Sequence, residues 1–159
     1  MAKEIERKFL VTDDWRQPDD APFEIKQGYL STCPDSTVRV RVEQGRGYDP
    51  IAYITVKGRN QGISRDEYEF TIDIGSAEEM IDKLCHNVIH KTRTVQLHNG
   101  VFWEIDQFHG HNQGLIVAEV ELAHEDQPLV LPAWLGSEVT DDPRYYNSNL
   151  SLNPYKNWN

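Results

Sequence analysis

Apolar and charged residues alternate with period two along most of this chain, the mark of strands with two unlike faces. Residues 4–11 open the pattern: Glu4, Glu6 and Lys8 fall on one face, Ile5, Arg7 and Phe9 on the other. Residues 23–31 form a second strand with Gly28-Tyr29 towards its end. Residues 37–43 set Arg39 and Arg41 against Val38, Val40 and Val42, and residues 51–57 set Lys57 against Ile54 and Val56. Residues 63–74 gather Arg65, Glu67, Glu69 and Thr71 opposite Tyr68, Phe70 and Ile72. Strands over 88–97, 101–107 and 115–123 carry Lys91 with Arg93, Glu104 with Asp106, and Glu119 with Glu121. Simple solvated faces mix Thr, Ser, Lys and Gln, whereas these faces are blocks of acid or of base.

Between the strands the signals change. Thr12 to Trp15 reads as a cap with a short helix or turn, 18–22 as a loop, and Pro34-Asp35 as a turn. Ser76 with Glu79 makes a capping box, and Met80, Ile81 and Leu84 give that helix an apolar stripe. Met80 and Cys85 read as packing residues. Asn99-Gly100 signals a tight hairpin. His109 and His111 sit in a loop with no third metal ligand at suitable spacing. Residues 128–139 and 143–152 read as short helices, the second capped by Asp142-Pro143.

About eight strands joined by hairpin-like connections predict an antiparallel sheet that closes into a barrel and so removes its edges. The expected class is mainly β with flanking helices (α+β), in one domain over 1–159. If the helices cover the apolar faces from outside, the charged faces look inward. Buried charge is costly unless paired, so such an interior calls for internal ion pairs and for a ligand that satisfies both signs.

Composition narrows the ligand. The net charge of −10 over 159 residues and a pI near 5.0 argue against nucleic acid and anionic membrane surfaces, which need a basic patch. No stretch approaches the ~18 apolar residues of a membrane helix, and the start of the chain has no apolar leader, so a cytoplasmic protein is expected. Two cysteines, Cys33 and Cys85, form no CxxC motif. Arginine forks suit phosphate oxygens, and clustered carboxylates suit hard divalent cations such as Mg2+ or Mn2+. A polyphosphate chelated to such a metal satisfies both.

The ordered set Glu4-Ile5-Glu6-Arg7-Lys8, Arg39-Val40-Arg41, Thr55-Val56-Lys57, Arg65 to Glu69, Lys91-Thr92-Arg93, Glu104-Ile105-Asp106 and Glu119-Val120-Glu121 resembles the CYTH superfamily, the triphosphate tunnel metalloenzymes. The opening EIERKFLV and the late Arg144-Tyr145-Tyr146-Asn147 are most similar to the family's bacterial inorganic triphosphatases. The resemblance implies an eight-stranded tunnel and metal-dependent hydrolysis of a triphosphate, with inorganic tripolyphosphate as substrate. Lys8, Arg39, Arg41, Lys57, Lys91 and Arg93 would contact phosphates. Glu4, Glu6, Glu119 and Glu121 would bind metal, helped by Glu104 or Asp106, with Glu4, Glu6 and Lys8 at the catalytic centre. Arg65, Glu67 and Glu69 would form internal ion pairs, and Tyr29 and Arg144 are candidates near the tunnel. Adenylate cyclase chemistry, thiamine or nucleoside triphosphate hydrolysis, and a non-catalytic polyphosphate-binding module are the alternatives. The expected partner is a small-molecule substrate, and exposed apolar strand faces leave room for a homodimer.

Overall fold

The computed structural model describes residues 3–18 and 22–158; residues 19–21 of the loop expected over 18–22 lie outside them. Nine strands form one antiparallel sheet: β1 (Lys3–Val11), β2 (Phe23–Ser31), β3 (Ser36–Gln44), β4 (Ile51–Gly58), β5 (Ser64–Ile72), β6 (Ile89–His98), β7 (Val101–Phe108), β8 (Ile116–Glu121) and β9 (Leu135–Glu138). Their order is β5-β4-β3-β2-β6-β7-β8-β1-β9, and a further β5–β1 pairing closes the first eight into a barrel. The expected barrel is therefore present. The β6–β7 hairpin turns at Asn99 and Gly100, which both take positive φ (48° and 77°), as a two-residue turn of the primed type requires.

The ninth strand corrects the helix expected over 128–139. Pro128 and Pro132 deny a helix its interior hydrogen bonds. One edge of β1 is also left open: β5 covers only Lys3 to Ile5, and Phe9 to Val11 need a partner for their backbone groups. Residues 135–138 supply it. Gly136 passes so close to β1 that a Cβ there would lie 3.3 Å from the Leu10 carbonyl oxygen.

Two apolar layers cover the outside of the barrel. Phe9, Trp103, Ile105, Ala118 and Val120 are covered by Trp15, Leu129, Trp134 and Leu135, with Trp103 and Trp134 meeting edge to face at 6.1 Å. Val40, Val42 and Ala52 are covered by Ala77 and Ile81 of the helix α1 (Ile74–Leu84). That helix begins earlier than the Ser76 capping box predicts. The Asp73 side chain accepts from the Ser76 backbone N–H, so Asp73 is the cap and Ser76 lies inside the first turn. Leu84 of the expected apolar stripe is exposed.

The C-terminal segment does not pack outside. Its expected helix splits into a 3-10 turn over Pro143–Tyr145 and the short α2 (Asn147–Leu152). Tyr145 and Leu150 pack with Ile89, Phe108, Leu115 and Val117, flanked by Leu10, Tyr29, Tyr155 and Trp158. Leu10, Tyr29, Ile89, Phe108 and Val117 share strand parity with the inward charges, so the inner surface turns apolar at one end and the C-terminal segment plugs it. The helices are thus on the outside only in the case of α1. Among the described residues no helix is long and apolar enough to cross a membrane.

Candidate active site

Strand register dictates which charges meet, because directly opposed residues share a face. Glu6 opposes Glu121 and Lys8 opposes Glu119 across β1 and β8. Glu104 opposes Glu119 across β7 and β8. Arg93 opposes Asp106, Lys57 opposes Glu67, and Glu4 opposes Arg65. The charged residues of seven separate strands therefore converge inside one barrel. An inner, mainly basic cavity of about 40 Å³ is lined by Lys8, Arg39, Arg41, Lys57, Arg65 and Lys91 with Glu6 and Glu119, and Tyr146 and Asn147 of the C-terminal segment form part of its wall. A wider, mainly acidic mouth of about 300 Å³ is lined by Glu4, Glu6, Glu67, Glu69, Glu104 and Glu121, with Arg39, Arg41, Lys57 and Arg93 also on its wall.

Inside, each cation leans on an acid. Lys8 Nζ donates to Glu119 at 2.6 Å and lies 2.9 Å from Glu6. Burial alone would depress the Lys8 ammonium, but Glu119 and Glu6 hold it well above the usual lysine range. Lys57 Nζ lies 2.9 Å from Glu4 and 3.3 Å from Glu67, and Arg65 Nε donates to Glu4 at 3.2 Å. Burial opposes ionisation of Glu4, yet Lys57 and Arg65 hold its carboxyl well below the usual range. Arg39 lies 3.6 Å from Glu69. Arg65, Glu67 and Glu69 thus sit in the internal ion pairs expected of them.

The deepest charges form a triad. Asp106 is fully buried and accepts from Arg93 Nε at 2.7 Å and Nη2 at 2.9 Å, and from Lys91 Nζ at 2.7 Å. Burial opposes its ionisation, but the two cations hold it down at about 2. Lys91 is lowered to about 7 by burial and by Arg93 and Arg41, against the pull of Asp106. Both Asp106 oxygens are thus engaged, and the residue faces the cations rather than the acidic mouth.

The mouth is different. Burial and the neighbouring Glu119 push Glu6 up to about 7, burial and Glu4 push Glu67 up to about 7, and Glu121 is also raised by burial and by Glu4 and Glu104. A crowd of hard oxygen donors that resist ionising together fits a divalent cation, which would relieve their repulsion. Among the described residues no three acidic, histidine or cysteine groups already converge as a ready ligand set, because most of these carboxylates turn towards lysine and arginine. Among the same residues the buried Arg39 Nε has no hydrogen-bond partner, which leaves it a donor for an anion.

Charge patterning missed the neutral members. Gln27, fully buried, donates through Nε2 to Tyr29 and Asn147 and accepts from Arg41 Nε at 2.9 Å. Thr55 links Arg39 to Glu69. Their place on the inward strand parity was the available signal. Tyr29 does line the inner cavity. Arg144 does not: it is exposed, pairs with Asp142 at 2.7 Å and lies over the rings of Tyr145 and Trp158.

Residues 2–149 match the CYTH domain. The chain belongs to the CYTH family. It is 46% identical over 159 residues to an inorganic triphosphatase of Acetivibrio thermocellus, covering 99% of both chains. It is 40% identical over 155 residues to an inorganic triphosphatase of Nitrosomonas europaea, covering 94% of this chain and 97% of the relative. Among solved structures, an inorganic triphosphatase aligns over 96% of each chain with a TM-score of 0.64 at 35% identity.

Proposed function

We propose that this CYTH protein is a divalent-metal-dependent hydrolase that cleaves inorganic tripolyphosphate to pyrophosphate and phosphate, acting on a small-molecule substrate in the cytoplasm. The observation that carries the reading is one enclosed site in which a basic interior opens into an acidic mouth, in a chain whose full-length relatives are inorganic triphosphatases. Lys8, Arg39, Arg41, Lys57, Lys91 and Arg93 bind the phosphate oxygens. The unpartnered Arg39 Nε and the Arg41 fork orient them, and the whole cationic set stabilises the charge that spreads over the transferred group. Glu4, Glu6, Glu104, Glu119 and Glu121 hold the cation, Mg2+ or Mn2+, and Glu4, Glu6 and Lys8 lie where the acidic and basic halves meet. A bound divalent cation supplies charge neutralisation at the phosphates and a water of lowered pKa. Asp106 does not join this set, because Arg93 and Lys91 occupy both of its oxygens; it anchors the cations instead.

The test is product analysis with tripolyphosphate and with ATP, each with Mg2+, with Mn2+ and with chelator. Phosphate released from tripolyphosphate far faster than from ATP, and lost with chelator, is the expected result. Cyclic AMP with pyrophosphate from ATP, or binding without turnover, overturns it.

A further inference from the structure

We propose that Asn147 is a substrate-positioning residue that marks the inner end of the bound phosphate chain. The inference rests on the triphosphate reading and adds what fixes the chain's depth. Asn147 opens α2 and lines the inner cavity beside Tyr146 and Ser148. Its Oδ1 accepts from Lys91 Nζ at 2.9 Å and from Gln27 Nε2 at 3.1 Å. An ammonium only donates, so the oxygen must face Lys91 and the amide nitrogen must face away. Among the described residues that Nδ2 has no protein acceptor, so its two N–H donors are free for a ligand oxygen.

The same carboxamide organises two phosphate-binding cations. Through Gln27, whose Oε1 accepts from Arg41 Nε, Asn147 links Lys91 to Arg41. Neutral amides can bridge two cations without neutralising either, which leaves their charge for the substrate. Behind Asn147 the interior is apolar: Phe108, Val117, Tyr145 and Leu150 fill it, and none of their side chains offers a phosphate a donor except the Tyr145 hydroxyl. A chain entering from the acidic mouth therefore stops at Asn147, with its inner terminal phosphate against Lys91, Arg41 and the Asn147 amide.

The test compares the unsubstituted protein with Asn147→Ala and Asn147→Asp. Calorimetry measures the binding of tripolyphosphate and of linear tetrapolyphosphate in chelator, so that neither metal nor turnover enters. Thermal melts show whether each variant is folded. Asn147→Asp keeps the acceptor for Lys91 and Gln27 but puts an anion at the stop, so it tests the site even if Asn147→Ala fails to fold. Losing a hydrogen bond to a charged group weakens tripolyphosphate about tenfold or more. Tetrapolyphosphate meets the same stop with its inner end, because the apolar side chains behind Asn147 give it no further depth, so it weakens by about the same factor. In Asn147→Asp both ligands again weaken about tenfold or more, while the melting temperature stays within a few degrees of the unsubstituted protein. Unchanged affinity in a folded variant, or a loss confined to one of the two ligands, overturns the inference, because a residue that merely holds the plug would change the melt and leave the affinity of the folded protein alone. If the unsubstituted protein binds neither ligand in chelator, the same comparison is read from the KM of each ligand with Mg2+; if it turns over neither there, the triphosphate reading falls and this inference with it.

Discussion

Asp106→Asn separates two roles for the most buried carboxylate of the site. The family resemblance makes Asp106, with Glu104, a metal ligand; the structure gives both of its oxygens to Arg93 and Lys91. Asparagine keeps the shape and one acceptor but removes the charge, leaving two cations crowded at the bottom of the barrel. Removing one partner of a buried ion pair costs about 3–5 kcal/mol. For a chain of this size that is a fall of about 6–20 °C in melting temperature. The loss should depend on pH in a definite direction. Lys91, held at about 7 by burial against the pull of Asp106, titrates lower still without that pull. Below pH 7 it is charged in the unsubstituted protein and gains from Asp106. Above that it is neutral in both proteins, and the loss shrinks to the Arg93 share. Thermal melts in chelator between pH 6 and 9, beside turnover at a temperature where both proteins are folded, decide the matter. A fall below about 2 °C together with abolished metal-dependent turnover would refute the anchoring role and return Asp106 to the metal ligands.

Glu6→Gln should abolish turnover and move the melting temperature by only a few degrees, since Lys8 keeps Glu119. Glu4→Gln should also lower stability, because Lys57 and Arg65 both lean on Glu4; equal melting losses would contradict these partnerships. In chelator the melting temperature should fall as pH rises from about 5 to about 7. Glu6 and Glu67 hold protons in the folded protein up to about pH 7, whereas the unfolded chain releases them near 4.5, so their stabilisation is lost across that window. His90, whose pKa burial lowers, opposes this with a smaller slope. Added Mg2+ should raise the melting temperature more at pH 8 than at pH 5, and a flat profile counts against the raised carboxylates. Gly28→Ala would place its Cβ 2.6 Å from the Cys85 side chain, prising α1 from β2 at a cost of about 1–3 kcal/mol; an unchanged melt would show that the helix end can shift freely.

Much of this site is legible in the sequence because a strand exports its period directly: a charge at every second residue names both the face and the neighbours. Glu4, Glu6 and Lys8, or Arg39 and Arg41, need no further information to be placed on one inward surface. What they do there depends on register, which the alternation does not encode. Glu104 and Asp106 are indistinguishable by spacing, yet one lies at the mouth and the other is sealed between Lys91 and Arg93. Gln27 and Asn147 carry no charge and so stood outside the pattern, although Gln27 obeys the same parity. The strand over 135–138 is too short to show a period at all. It forms because β1 has an open edge, a fact of the barrel rather than of those four residues.

The pairing inside the barrel also explains how an acidic protein can receive a polyanion. Lys8 bridges Glu6 and Glu119, and Lys57 bridges Glu4 and Glu67, so none of these ammonium groups stands as an isolated buried charge before substrate arrives. When phosphate oxygens take over a lysine, the carboxylate it leaves becomes an uncompensated buried anion, and the phosphate adds another. On the proposed function, a divalent cation held by the freed carboxylates would remove that excess at the place where it arises. Substrate and cation would then favour one another through Lys8 and Lys57, by a coupling that is necessarily reciprocal. Asp106 stands apart from the exchange: it is fully buried, and its bidentate pair holds Arg93 in the wall of the mouth while the charges around it change partners.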